Sequence, residues 1–301
     1  YFHTWNVKQL RPDAYARYDY SRENYTPLLW FFEGFTSYFD DLLLRRAGLI
    51  DDATYLQLLA KTIQQVDQTP GRHVQTVAQA SFDAWVKYYR QDENTPNATV
   101  SYYTKGSLVA LCLDLSLRTQ GQGHTLDDLM RGLYKRCQAG PMREQDVLDA
   151  LQVLTGRSWQ AELQAWVHST AELPLARLLE SQGIRIHAEP GNLAQRLGLR
   201  HADTNGSVQI KMVLRGSAAE HAGFASGDEW LGLEVGARGQ LGHWRVSKLD
   251  DVTVLLGKER QAVALVSRDK QLLRLPLSVP QPSTVWRLEA APNRHSTWPG
   301  A

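Results

Sequence analysis

The stretch Leu28-Leu29-Trp30-Phe31-Phe32-Glu33-Gly34-Phe35-Thr36-Ser37-Tyr38-Phe39-Asp40-Asp41-Leu42-Leu43-Leu44-Arg45-Arg46-Ala47-Gly48 decides how the first part of the chain is read. Its apolar residues recur at three- and four-residue intervals, the spacing of one helix face. Arg45 and Arg46 stand in the last turn, where cations suit the helix dipole, and Gly48 follows as a stop. A helix over 29–47 is the expectation. Glu33 is the anomaly within it. A carboxylate among Trp30, Phe31, Phe32 and Phe35 loses hydration if that face is buried, and a buried charge needs a partner such as a cation.

Outward from this helix the same periodicity extends over residues 28–181. A second helix begins at Asp51 or Asp52 and closes before Pro70-Gly71. A third carries Phe82, Trp85, Val86 and Tyr89, the polar stretch 91–99 reads as a loop, and a fourth starts near Tyr102. Thr125 with Asp128 resembles a helix N-cap, Gly140-Pro141 is a break, and Ser158-Trp159 opens a further helix. After Gly183 the period becomes two, with Ile184 and Ile186 alternating against Arg185 and His187. The expected organisation is a mostly α-helical part over 1–183, a small α+β domain over 184–279, and an irregular tail over 280–301 containing Pro280, Pro282, Pro292 and Pro299. Strands are expected over 208–214, 229–235, 262–267 and 272–277, and short helices over 217–222 and 249–256.

Composition agrees with two globular domains. The chain has 301 residues, 43% of them apolar, with nine Trp and twelve Tyr to fill cores. No apolar run reaches the roughly 20 residues that span a bilayer. Lys and Arg number 33 against 32 Asp and Glu, and no basic stripe stands out, so nucleic acid is not an expected partner. Cys112 and Cys137 make no disulfide framework and read as small buried hydrophobes. The opening Tyr1-Phe2-His3-Thr4-Trp5 has neither an initiator Met nor signal-peptide features, so it reads as a cut end and leaves the compartment open.

Three residues stand in settings that suggest chemistry: His3, Glu33, and Tyr103 within Tyr103-Thr104-Lys105-Gly106. By themselves they decide little, since a lone His is more often structural than a ligand and an aromatic at a helix start often only packs. His73, His124, His168 and His221 show no four-residue pairing, so no second metal site is indicated. Asn-x-Ser/Thr triplets at Asn24, Asn97 and Asn205 are given no function.

Four longer words add context: Tyr1-Phe2-His3, the run 33–41, Ala84-Trp85-Val86-Lys87-Tyr88-Tyr89-Arg90, and Ser101-Tyr102-Tyr103-Thr104-Lys105-Gly106. With them the chain resembles the glycyl aminopeptidase family of gluzincin-type zinc metallopeptidases. The family's helix carries H-E-x-x-H, in which two His share one face and bind one Zn²⁺ while the Glu handles the proton of the bound water. The resemblance makes His3 the second His, with the preceding His and Glu missing from this chain, and makes Glu33 the third ligand. Thirty positions separate the two, which requires an inserted loop over 11–26. It makes Tyr103 the residue that stabilises the oxyanion, with Tyr102 the alternative one register away. Asp40 is a weaker candidate for orienting the ligand His, solvation explaining it equally well. The implied activity is removal of a small N-terminal residue such as Gly or Ala from a peptide or protein, with this piece alone inactive and holding zinc weakly.

The second half carries Gly216-Ser217-Ala218-Ala219-Glu220-His221-Ala222-Gly223-Phe224, Gly227-Asp228-Glu229-Trp230-Leu231 and Lys248-Leu249-Asp250-Asp251-Val252. These resemble a PDZ domain of the bacterial protease-associated kind, which binds an extended peptide as an added strand and holds its terminal carboxylate with loop amides. Leu197-Gly198-Leu199 is the matching segment, and a domain used only for packing is the alternative. The rival to the enzyme is therefore a non-catalytic peptide-binding scaffold.

Overall fold

Helix α1 (Leu29–Arg46) forms over the aromatic run, and Gly48 behind it has a φ of 71°, the left-handed value glycine takes without strain. The computed structural model describes residues 1–120, 123–236, 242–282, 284–292 and 296–300. Two units emerge from its contacts. Residues 1–91, 98–187 and 286–301 make up the first, and residues 92–97 and 188–285 the second.

In chain order α1 is followed by α2 (Asp52–Asp67), whose cap residue Asp51 accepts from the Thr54 amide, and by α3 (Val77–Phe82), closed by a reciprocal Thr76 and Gln79 cap. The helix expected through Tyr89 breaks here. Its second piece, Ala84–Tyr88, is a turn of π-helix, a geometry that re-aims side chains relative to an α-helix. A short α4 (Thr95–Ala98) occupies part of the stretch read as a loop. Then come α5 (Thr104–Thr119), α6 (Leu126–Arg136), α7 (Glu144–Thr155), α8 (Gln160–Trp166) and α9 (Leu175–Ser181). Asp128 closes the start of α6, accepting from the Thr125 amide at 2.9 Å.

The first unit is organised around α5, which is apolar on nearly every face and buried from Leu108 to Leu115. Helix α1 packs on it with Trp30, Phe31, Phe32 and Phe35, all without exposed surface. Each such side chain contributes about 1.5–3 kcal/mol by leaving water. Gly34 and Gly106 permit the approach. A Cβ on Gly34 would lie 2.5 Å from the Gly106 carbonyl carbon, and one on Gly106 would lie 2.6 Å from the Trp30 oxygen.

One charge sits inside this core with its bonds filled. Asp114 on α5 accepts from the Tyr38 hydroxyl at 2.7 Å, the Leu126 amide at 2.8 Å and Arg118 Nε at 3.1 Å. The Trp298 indole N–H donates to the Tyr38 hydroxyl at 3.1 Å, and its ring meets Tyr55 edge-on. Trp298 is fully buried. The tail expected to be irregular is thus partly ordered: it contains strand Thr284–Ala290, and its Trp298 belongs to the first unit's core. Proline spacing hid this, because four prolines in 22 residues mask a strand that lies between them.

Two short strands in the first unit, β1 (Arg11–Pro12) and β2 (Pro141–Met142), pair in parallel. Strand β3 (Ile184–Pro190) follows Gly183, where the period changes. Next are α10 (Leu193–Leu197), β4 (Leu199–Thr204), β5 (Ser207–Val213), α11 (Ala218–Ala222), β6 (Glu229–Val235), β7 (Gly242–Arg245), α12 (Leu249–Leu256), β8 (Gln261–Arg268) and β9 (Gln271–Ser278). The last strand, β10 (Thr284–Ala290), pairs with β3.

The second unit is a six-stranded antiparallel sheet in the order β4-β5-β6-β8-β9, with β7 added to β6. Its core is Trp230, Leu233, Val252, Ala264 and Val266. Asn205 and Gly206, with φ of 53° and 74°, make the two-residue turn between β4 and β5. Asp228, fully buried, is held by two bonds from Arg268 at 2.7 and 2.8 Å and one from the Ala225 amide at 2.9 Å, which fixes the Gly227-Asp228 turn.

Candidate functional site

Glu33 lies on the first turns of α1, one residue before the glycine that lets α5 approach. Tyr103 caps the start of α5, three residues before the other glycine of the contact. The crossing therefore carries both residues to one place, near enough for the Tyr103 phenol to influence the Glu33 carboxylate. Burial pushes the Glu33 carboxyl above the usual carboxylate range, while His3 and Tyr103 pull it back down.

His3 reaches the same carboxylate from a 3-10 turn, Phe2–Thr4. Phe2 stacks on Phe39 of α1 with ring centroids 4.6 Å apart, and the buried Asn6 side chain donates to the Phe32 carbonyl at 3.1 Å. These contacts pin the turn to α1. His3 Nδ1 then faces the Asn6 carbonyl at 3.0 Å and Thr36 Oγ1 at 3.3 Å. A carbonyl only accepts, and the Thr36 hydroxyl already donates to Phe32 O at 2.7 Å, so the ring proton sits on Nδ1. The other ring nitrogen, Nε2, faces Glu33 Oε2 across 3.2 Å.

This pair suits a Zn²⁺ ion in kind. Zinc takes neutral imidazole nitrogen and carboxylate oxygen at about 2.0–2.2 Å, which at tetrahedral angles sets two donors about 3.3 Å apart. A ligand His whose second nitrogen is tied to a carbonyl is also the usual arrangement. The set is partial. Among the described residues no group of three or more His, Cys, Asp or Glu could hold a metal ion.

Asp40 lies near enough to His3 to feel its charge, but Asn6 and Thr36 occupy the nitrogen that Asp40 was a candidate to hold. Thr36 could have been noticed as the residue one turn beyond Glu33; Asn6 carried no periodic signal. Tyr102 is separated from Tyr103 by burial. Its hydroxyl is enclosed without a hydrogen-bond partner, with the Tyr89 and Tyr103 phenols as neighbours, while Tyr103 is the one that addresses Glu33. A hollow of about 290 Å³ is lined by Phe2, Trp5, Leu10, Met130 and Tyr134 together with Asn6, Arg131 and Lys135.

In the second unit Leu197, Gly198 and Leu199 run from the end of α10 into β4. The Gly198 amide donates to the Ala194 carbonyl at 2.9 Å, closing α10, and both leucines are buried. Glycine is required there for a φ of 70° and because a Cβ would come within 2.3 Å of the Ser217 Cβ. What β4 leaves available is its outer edge, since it ends the sheet.

Residues 1–109 match the family described as M61 glycyl aminopeptidase. Among solved structures, an aminopeptidase N family protein from Idiomarina loihiensis superposes with a TM-score of 0.86 at 31% identity, over 96% of this chain and 51% of that one. This chain thus spans about half the length of that relative. No curated protein matches it. Residues 1–109 are thus an M61 glycyl aminopeptidase domain, and nearly the whole chain shares its fold with an aminopeptidase N family protein.

Proposed function

We propose that this chain supplies part of the active site of a zinc aminopeptidase, with His3 and Glu33 as two protein ligands and Tyr103 as the donor to the oxyanion. The carrying observation is an imidazole nitrogen facing a carboxylate oxygen across 3.2 Å. Two lone pairs at that distance repel unless a cation or a proton lies between them. The remaining ligand and the general base would come from residues other than those of this chain, as the two-donor count and the half-length match support.

When bound, Zn²⁺ supplies a Lewis acid that polarises a carbonyl and makes water acidic near neutral pH. Asn6 and Thr36 hold the Nδ1 proton of His3 and so keep Nε2 directed at the site. Glu33 contributes negative charge in a place that burial makes unfavourable for an unpaired carboxylate. Tyr103 donates its phenolic hydrogen to the substrate oxygen as charge develops there, a contact made stronger in the transition state. The family relationship supports a peptide with a small N-terminal residue, Gly or Ala, as substrate. We read the second unit as a PDZ domain whose β4 edge takes an extended peptide by strand addition.

The two-donor count also favours a narrower reading of residues 1–301 alone: a peptide-binding scaffold that neither retains zinc tightly nor cleaves. Metal analysis and an alanine-anilide assay on the intact protein separate the two. Stoichiometric zinc that is lost in Glu33→Ala, together with activity, supports the enzyme. An intact protein that binds no zinc, or a Glu33→Ala protein that keeps it, removes Glu33 from the ligand set and the proposal with it.

A further inference from the structure

The aromatic surroundings of Glu33 do not stop at Tyr103. Tyr103 meets Tyr88 with centroids 5.5 Å apart, Tyr88 meets Tyr89 at 5.6 Å, and Tyr89 meets Trp85 at 5.9 Å. From Trp85 the row crosses to the segment 11–26. Trp85 Nε1 donates to the Asn24 carbonyl at 2.9 Å, and the Tyr15 hydroxyl donates to the same oxygen at 3.2 Å. Beyond that point Tyr15 meets Tyr18 at 5.2 Å and Tyr18 meets Tyr20 at 5.0 Å. Tyr25 against Phe82, at 5.2 Å, bridges the same two segments a second time.

The outer rings face solvent: Tyr20 is 93% exposed, Tyr89 62% and Phe82 49%. Burial in the core explains none of these three, and a contiguous apolar surface marks a contact site. The segment is also held in shape before anything binds. The Asn24 amide donates to the carbonyls of Asp19 at 2.7 Å and Arg22 at 2.9 Å, and its oxygen accepts from the Asp19 amide at 3.0 Å. The π-turn presents Trp85 and Tyr88 to this row, in a geometry common at functional positions.

We propose that the row from Tyr103 to Tyr20 is the bed for the substrate polypeptide downstream of the cleaved bond, and that it selects chains with aromatic or bulky apolar residues there. This rests on the peptidase reading of the Glu33 site. The seven rings from Tyr103 to Tyr20, with centroids 5.0–5.9 Å apart within each of two stretches, extend far beyond one residue, which spans at most about 3.6 Å, so the occupant is a polymer. Two charge pairs along it are satisfied internally, Arg22 with Asp19 at 3.0 Å and Lys87 with Asp83 at 2.7 Å, and the exposed rings supply the apolar recognition chemistry.

The test uses the intact protein with three substrates: alanine p-nitroanilide, Ala-Gly-Gly-Gly-amide and Ala-Tyr-Phe-Tyr-amide. Wild type should favour the aromatic peptide over the glycine peptide in kcat/KM. Tyr18→Ser with Tyr20→Ser should lower that ratio about tenfold through KM, since two ring contacts are lost. Tyr20→Phe, which keeps the ring, should retain it. Equal rates on the two peptides in wild type, or an unchanged ratio in the double variant, overturn the bed while anilide cleavage leaves the peptidase reading standing. An anilide that wild type does not cleave overturns both.

Discussion

Gly34 and Gly106 face each other across the α1 and α5 crossing so closely that a methyl group on Gly34 would stand 2.5 Å from the Gly106 carbonyl carbon. The neighbours are backbone atoms, which cannot swing aside as a side chain can. Gly106→Ala should therefore force the helices apart, cost about 1–3 kcal/mol or more, and separate Tyr103 from Glu33. Denaturant unfolding and zinc content of the intact protein check it. A variant with wild-type stability and full zinc would mean the crossing does not set the site.

Tyr102 and Tyr103 should respond oppositely to loss of a hydroxyl. Tyr103→Phe should lower kcat about 10²–10³-fold with KM and zinc content little changed, the cost of removing one oxyanion donor. Tyr102→Phe removes a buried hydroxyl that has no partner and should leave stability unchanged or raised. Steady-state kinetics and thermal melts on the pair distinguish them. Equal kcat losses in both would take the oxyanion role from Tyr103.

Trp298 fills space that nothing else in the first unit can fill. Trp298→Ala should destabilise that unit by about 3–5 kcal/mol, and Trp298→Phe by about 1 kcal/mol beyond any packing loss, because the N–H to the Tyr38 hydroxyl disappears. Urea titration followed by the helical signal reads both. An alanine variant that unfolds at the wild-type midpoint would contradict the burial of the ring.

Arg46 holds Asp127 by two parallel bonds, 2.8 and 2.9 Å long. Burial alone would raise the Asp127 carboxyl, but the Arg46 bonds and charge outweigh it and hold it below the usual range. A depressed folded value means the stabilisation is present above the unfolded carboxylate value of about 3.9 and fades as pH falls through the folded one. Arg46→Gln should therefore move the acid unfolding midpoint upward, and circular dichroism from pH 6 to pH 2 measures the shift. An unmoved midpoint would show that the pair contributes nothing.

The regular parts of this chain were legible because each is written in consecutive residues. The aromatic run of α1, the Thr125 and Asp128 cap of α6 and the alternation after Gly183 are local patterns, and strand β6 and helix α12 fall where periodicity set them. His3, Glu33 and Tyr103 could be named from short motifs, and the family resemblance implied that they meet, but the residues by themselves did not show what brings them together. That depends on two glycines 72 positions apart, and on Asn6 tying the first turn to Phe32. The π-turn was missed because its apolar spacing is helical to the eye. At Leu197-Gly198-Leu199 the sequence showed the glycine but not its setting: a glycine between leucines suits a helix end as well as a binding loop, and Gly198 ends α10.

The bond between Trp298 and Tyr38 joins residues 260 positions apart. A ribosome adding about 5–20 residues each second needs roughly 13 to 50 seconds to make that interval. For most of it α1 and α2 have been made with the Trp298 seat between Tyr38 and Tyr55 still empty, and the whole second unit is synthesised in the meantime. Of the two units, the one begun first is thus the one completed last, and a nascent chain stalled before Trp298 offers that open seat to chaperones and proteases.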